Sequence, residues 1–229
     1  MKTKKNYLYF NKWWVPLLIY IGIFGIFLIG TFLKRNWITN LSFILSILNI
    51  IGSIMTIFIS KGKWYFRILI FFSGIFVLLF TFILAYQTPD YYGANKKIPE
   101  NIKIYDANEF SAKSSKYLNS NSGLRISGYG GSYSFHIKYS FREKGHFYLK
   151  AYEVTSNKRL SKKQLDKRLF KVETLEEKLY ENWLKIYEGS QNYKYACRLE
   201  LWFKPINNKN EYKITEQNFI ITGWESSWF

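Results

Sequence analysis

The sequence predicts a membrane α-helical unit of three transmembrane helices followed by a mostly-β C-terminal domain, an immunoglobulin-like β-sandwich with a short helical insert. Three observations predict it. Residues 13–33, 37–60 and 68–86 contain no Asp, Glu, Lys, Arg or His, and a bilayer core is spanned by about 20 such residues in a helix. Everything after them is polar. Within that polar part, apolar and polar residues alternate with period two, the pattern of half-buried strands. The 229 residues thus divide into a membrane unit at 1–86, a linker at 87–100 and a β-rich domain at 101–229, each of ordinary size.

The charge separates along the same line. Nine of the 33 basic residues and none of the 16 acidic ones precede Asp90, so +9 of the net +17 belongs to the first part and +8 to the remainder. The first apolar stretch has the basic start of a signal peptide. It runs on into Gly30-Thr31-Phe32-Leu33-Lys34-Arg35, which holds no small-x-small cleavage site, and it is longer than a typical signal core, so it reads as a retained helix. The joints, Lys34-Arg35-Asn36 and residues 61–67, are short enough to force an up-down-up bundle. With the N-terminus inside, seven basic residues (Lys2, Lys4, Lys5, Lys12, Lys61, Lys63 and Arg67) flank the inner face. The outer face carries Lys34 and Arg35, joined at most by the more distant Lys96, Lys97 and Lys103. The positive-inside bias then puts the N-terminus in the cytoplasm and the C-terminal domain outside it. Trp13, Trp14, Trp37, Trp64, Tyr65 and Tyr86 fall at the span ends, where amphipathic rings anchor at the headgroup level.

The second span carries a stripe. Ser42, Ser46, Asn49, Ser53, Thr56 and Ser60 step by four and three, which puts all six on one helix face. Small and polar faces bring helices together in lipid. Two readings stay open: a packing seam within the bundle, or a seam between subunits of a homo-oligomer, including a wet pore lining. The first span offers Gly22 and Gly25 for close approach and the third offers Ser73, Thr81 and Ala85. No ionisable group lies inside a span, which leaves a proton relay or ion-coupled carrier without working parts.

In the polar domain, Tyr133, Phe135, Ile137, Tyr139 and Phe141 alternate with polar residues over 132–142, and Glu143-Lys144-Gly145 turns the chain into a hairpin partner at 146–154. Residues 193–204 alternate again, with Tyr195, Cys197, Leu199, Leu201 and Phe203 on one face and Arg198, Glu200, Trp202 and Lys204 on the other. A turn at Asn207-Asn208-Lys209-Asn210 leads to closing strands over 211–222. Weaker strands are expected at 123–127 and 182–187. Ser161-Lys-Lys-Gln164 and Thr174-Leu-Glu-Glu177 each match a capping box, predicting one or two short helices across 161–181. Tyr195-Ala196-Cys197 has the spacing of a tyrosine corner.

Phe147-Tyr-Leu-Lys-Ala-Tyr-Glu-Val-Thr155, Ile186-Tyr-Glu-Gly189, Tyr195-Ala-Cys-Arg-Leu-Glu-Leu-Trp-Phe203-Lys-Pro205 and Ile221-Thr-Gly-Trp224 together resemble an uncharacterised family of bacterial membrane-anchored proteins with a C-terminal β-rich domain. The resemblance covers residues 132–224. It implies an architecture and transfers no activity and no site.

Catalytic signatures are missing: there is no G-x-S-x-G elbow, H-E-x-x-H or P-loop. Ser127-Gly-Tyr-Gly-Gly131 lacks the Lys-Ser/Thr that follows a phosphate loop and precedes a strand, so it reads as a plain turn. His136 and His146, the only histidines, would face each other across the expected hairpin, but no further ligand has metal-site spacing. Cys197, the only cysteine, is expected in the core as a small hydrophobe. No catalytic, metal or cofactor residue is expected. In the polar domain, basic residues are interleaved with Glu apart from a cluster over 158–171, so no nucleic-acid partner is expected. Aromatic residues with arginine suit an interface, and Trp202, Arg198, Tyr152, Trp224 and Trp228 are the candidate interaction surface.

These features predict a non-enzymatic, multi-pass protein of a bacterial inner membrane. It would display its β-sandwich outside the cytoplasm to bind a protein or envelope polymer, an immunity-like role being one form. The alternative is a membrane effector with a cytoplasmic β-rich domain that senses a small anion and oligomerises through the second helix.

Overall fold

The computed structural model describes residues 12, 14–59, 63–107, 123–206 and 210–224, with the side chains of Thr56, Ile57, Ile59, Arg67 and Gln87 excepted. The chain forms two compact units, residues 1–88 and 89–229.

The first unit holds helices α1 (Trp14–Phe32), α2 (Asn36–Ile59) and α3 (Trp64–Gln87), all long and apolar enough to cross a membrane. At 1.5 Å per residue, their 19, 24 and 24 residues reach roughly 28 to 36 Å, which matches a hydrocarbon core of about 30 Å and the span of about 17 to 25 residues that crosses it. The third helix begins at Trp64 rather than 68, so its first turn takes in Arg67 ahead of the apolar stretch. Trp14, Trp37, Trp64, Tyr65 and Tyr86 are exposed, whereas Trp13 lies outside the described residues.

All three helices pack on one another. On α2, Ser42, Ser46, Asn49 and Ser53 are buried. Asn49 Nδ2 donates to Pro16 O of α1 at 3.1 Å, and Ser53 Oγ lies 3.1 Å from the hydroxyl of Tyr20. Ser42 and Ser53 also bond back to their own helix, at Thr39 O (2.6 Å) and Asn49 O (2.8 Å). The upper stripe is therefore covered inside a single bundle. The Thr56 side chain and Ser60 lie outside the described residues.

The close approaches are not where the sequence placed them. A Cβ at Gly22 or Gly25 would meet nothing within 4 Å, whereas one at Gly74 would lie 2.1 Å from Tyr20 Oη and one at Gly30 2.8 Å from Thr39 N. Tyr20, 2% exposed, is the plug between the helices, and Gly74 is the socket on α3.

The second unit is mostly β. Its strands are β1 (Tyr105–Asp106), β2 (Arg125–Tyr129), β3 (Ser132–Tyr139), β4 (Gly145–Glu153), β5 (Arg159–Leu160), β6 (Phe170–Val172), β7 (Lys178–Lys185), β8 (Tyr195–Pro205) and β9 (Tyr212–Ile221). A larger sheet runs β1-β9-β8-β4-β5 with β6 also on β4, and a smaller one runs β2-β3-β7. Ile126, Phe135, Ile137 and Leu184 from the small sheet share one core with Phe147, Leu149, Leu199, Leu201, Phe203 and Phe219 from the large one.

The hairpin expected between β3 and β4 does not form. β3 pairs with β2 and β7, and β4 pairs with β8, β5 and β6. The chain crosses between sheets at Phe141, whose ring stacks on Phe147 (5.5 Å) and Phe203 (5.1 Å). Burying that ring draws the chain off the first sheet. Gly145 then lets β4 start close against β8, since a Cβ there would lie 2.5 Å from Lys204 O.

The helical insert shrinks to α4 (Lys162–Leu165). Ser161 does not cap it: its φ is 44° and its hydroxyl donates to Glu188 Oε2 at 2.8 Å. The second capping box makes no helix. Thr174 Oγ1 accepts from Glu176 N at 3.2 Å in a turn that leads into β7. Leu165 is buried, but Leu169, Leu175 and Leu179 are exposed, so the helical spacing there has no packing counterpart.

Residues 89–100, expected as a linker, are bound to the β domain. Gly189 N donates to Asp90 Oδ2 at 2.8 Å, Lys96 Nζ to Glu153 Oε2 at 2.8 Å, and Tyr91 is 7% exposed. Tyr195 OH donates to Glu188 O, seven residues upstream, at 2.6 Å. The glycine-rich segment is the β2–β3 turn, with Gly130 (φ 60°) and Gly131 (φ 75°) in the left-handed region. Thr222 fastens it, accepting from Gly130 N at 3.0 Å while its carbonyl accepts from Tyr133 OH at 3.0 Å.

Candidate functional site

Alternation along β4 turns Phe147, Leu149 and Ala151 into the core and Tyr148, Lys150 and Tyr152 onto the outer face of the large sheet. Antiparallel register sets Trp202 opposite Tyr148, Glu200 opposite Lys150 and Arg198 opposite Tyr152. Cross-strand neighbours at this spacing touch. The result is an ordered layer of rings and cations.

Lys150 Nζ lies 3.5 Å from the Trp202 ring centroid and 5.3 Å from that of Tyr148, within cation–π range. The Arg198 and Arg159 guanidinium carbons lie 5.1 and 5.0 Å from the centroid of Tyr152. Glu200 ties the layer from beneath, accepting from Arg198 Nε at 3.0 Å and Trp202 Nε1 at 2.8 Å. Arg198 also reaches Asn157 Oδ1 at 2.8 Å. Each polar head is held, which lowers the entropy lost when a partner covers it.

Beside this layer opens a cleft of about 530 Å³, lined by Tyr148, Lys150, Tyr152 and Arg159 with Lys162, Asp166, Leu169, Lys204 and Glu211. Glu211 accepts from Tyr148 OH at 2.6 Å and Lys150 Nζ at 3.0 Å. These two bonds hold the Glu211 carboxyl below its ordinary range, while burial first and the carboxylate second push the Tyr148 phenol up. Arg159 NH1 donates to Tyr152 OH at 3.0 Å and its NH2 to Asp166. Four basic side chains against two acidic ones leave the lining at +2.

No protein-family model, curated protein or solved structure matches this chain. Its chemistry is therefore read from its own residues.

Of the five candidate surface residues, Trp202, Arg198 and Tyr152 come together on the large sheet. Trp224 stands apart, against Tyr187 (5.3 Å between centroids) with Lys185 Nζ 4.7 Å from its ring. Trp228 lies outside the described residues. Tyr148, Lys150, Arg159, Lys162 and Glu211 were not singled out by sequence. The period-two face of β4 was the signal for the first two, and the basic cluster over 158–171 was the signal for Arg159 and Lys162.

The two histidines do not meet. His136 is on β3 of the small sheet, its Nδ1 3.7 Å from Glu181, and His146 is on β4 of the large one, opposite Lys204 and Lys171. Among the described residues, no three His, Cys, Asp or Glu side chains are grouped to hold a metal. Cys197 is buried, and that burial pushes its thiol up, away from nucleophilic character.

Proposed function

We propose that this chain is a non-enzymatic binding protein of a bacterial inner membrane. Its N-terminus is cytoplasmic, and three helices anchor an immunoglobulin-like domain displayed outside the cytoplasm. That domain engages a protein or envelope polymer through the layer of Trp202, Arg198, Tyr152 and Lys150. The observation carrying this reading is the cross-strand ordering of rings and cations on an outer sheet face, the composition of interface hot spots. The side of the membrane rests on the basic bias around the spans. The Tyr195–Glu188 hydrogen bond and the two sheets on one core support the immunoglobulin-like assignment.

The cationic cleft favours one element of a second reading, a cytoplasmic domain that senses a small anion. Oligomerisation through α2 has less support, because Ser42, Ser46, Asn49 and Ser53 are already covered within one bundle.

A photo-crosslinking residue at Asn218, which is paired with Arg198 across β8 and β9, tests the binding face in growing cells. A discrete adduct that disappears with Arg198→Glu is the expected result. The same adduct from Glu176, in the turn before β7, or one indifferent to Arg198→Glu, contradicts the proposal.

A further inference from the structure

We propose that the cleft beside this face is a site for a phosphomonoester. Arg159, Lys162 and Lys204 hold the phosphate, and the organic substituent lies against Tyr152 and Leu169. The inference rests on the reading of the domain as a binding module and specifies its ligand chemistry.

Three observations carry it. The cleft is concave, about 530 Å³, which is the size range of small-ligand sites. Its net charge of +2 is balanced by a dianion, and a phosphomonoester carries about −1.5 to −2 near neutral pH. Its donors are also left over. Lys150 and Arg159, with side chains 15% and 17% exposed, are matched by Glu211 and Asp166. Among the described residues, no carboxylate is in ion-pair contact with Lys162 or Lys204. A phosphate oxygen offers both ammonium groups a charge-assisted acceptor. Leu169, 52% exposed, and the Tyr152 ring give the same cleft an apolar side.

The phosphate can belong to a soluble compound or to a lipid headgroup, and the test separates the two. Titration calorimetry with phenyl phosphate on the full chain in detergent is expected to show saturable binding, one per chain. Lys162→Ala and Lys204→Ala should each weaken it about tenfold, as loss of a charge-assisted contact does, and Lys185→Ala should not. The monoanionic methyl ester should bind more weakly than the dianion. Absence of saturable binding, equal loss in Lys185→Ala, or equal affinity for the monoester and its methyl ester overturns the proposal.

In phosphatidylcholine nanodiscs, added phosphatidate that displaces phenyl phosphate identifies a lipid headgroup. Phosphatidate without effect identifies a soluble phosphomonoester. Either result upholds the site. Failure of phenyl phosphate binding while the Arg198-dependent adduct persists overturns the cleft and leaves the binding face standing.

Discussion

Lys150 stands over Trp202, its Nζ 3.5 Å from the ring centroid, while the same ammonium reaches Glu211 Oε1 at 3.0 Å. One cation thus couples the ring layer to the cleft. Exchanging Lys150 for Met keeps the aliphatic stem and removes the charge. The expected cost is about 1 kcal/mol from the lost cation–π contact, with a change in tryptophan emission from Trp202. Denaturant unfolding monitored by fluorescence checks both. An unchanged midpoint and spectrum would mean that the ammonium contributes nothing to the layer.

In the membrane unit, the plug and socket of Tyr20 and Gly74 give an ordered pair of outcomes. Tyr20→Phe removes one interhelical hydrogen bond and should cost about 0.6 to 1 kcal/mol. Gly74→Ala puts a methyl group where the Tyr20 hydroxyl lies, forcing the helices apart, and should cost more. In the double variant the methyl meets less, so the two effects should be less than additive. Thermal stability in detergent, read by size-exclusion chromatography, ranks them. Gly22→Ala serves as the neutral control.

Glu153 sets the acid limit of the β domain. Its buried carboxylate accepts from Lys96 Nζ (2.8 Å), Thr155 N (2.9 Å), Thr155 Oγ1 (2.6 Å) and Ser156 N (2.8 Å). Burial alone would raise its pKa, but these bonds outweigh burial and bring it down to about 2 from an ordinary 4.5. The unfolded chain therefore binds the proton first. The stabilisation, about 3 kcal/mol by linkage, is fully present above pH 4.5 and is lost as pH falls toward 2. Glu153→Gln should lower stability at neutral pH and flatten that acid limb. A wild-type profile that is flat between pH 5 and 2 would contradict the assignment.

Gly131 is irreplaceable at the tip of the β2–β3 turn. Its φ is 75°, and a Cβ there would lie 2.0 Å from Trp224 N. The obstacle is backbone, so no rotamer relieves it. Gly131→Ala should cost about 3 kcal/mol or more, whereas Gly130→Ala meets only Gln191 at 3.5 Å and should cost less. Unfolding midpoints of the two variants check the order.

What the sequence disclosed and what it hid follow from the range of the interactions. The spans were readable because bilayer thickness imposes a length, and the strands were readable because a buried face imposes period two. Strand partners were not. Period two in residues 132–142 is the same whether β3 pairs with β4 or with β2 and β7, and Phe141 decided between them through rings on β4 and β8. The Ser161 capping box failed for a similar reason, since its hydroxyl is drawn to Glu188, 27 residues away. Thr174 failed locally, because a hydroxyl that accepts a nearby N–H serves a turn as well as a helix. Half the ring layer was visible from alternation in β8. The cleft was not, because Lys204 lies near the end of β8 and Glu211 just before β9, and only pairing of β4 with β8 carries them to Arg159 and Lys162.

Which side of the membrane the β domain occupies separates display of the binding face from cytoplasmic sensing. Glu176, exposed in the turn before β7, is replaced by Cys, with the buried Cys197 left in place and the unsubstituted chain as control. A membrane-impermeant maleimide is then applied to intact cells whose outer barrier has been permeabilised. Labelling of Glu176→Cys before lysis is the predicted result. Protection until the inner membrane is broken would contradict the account.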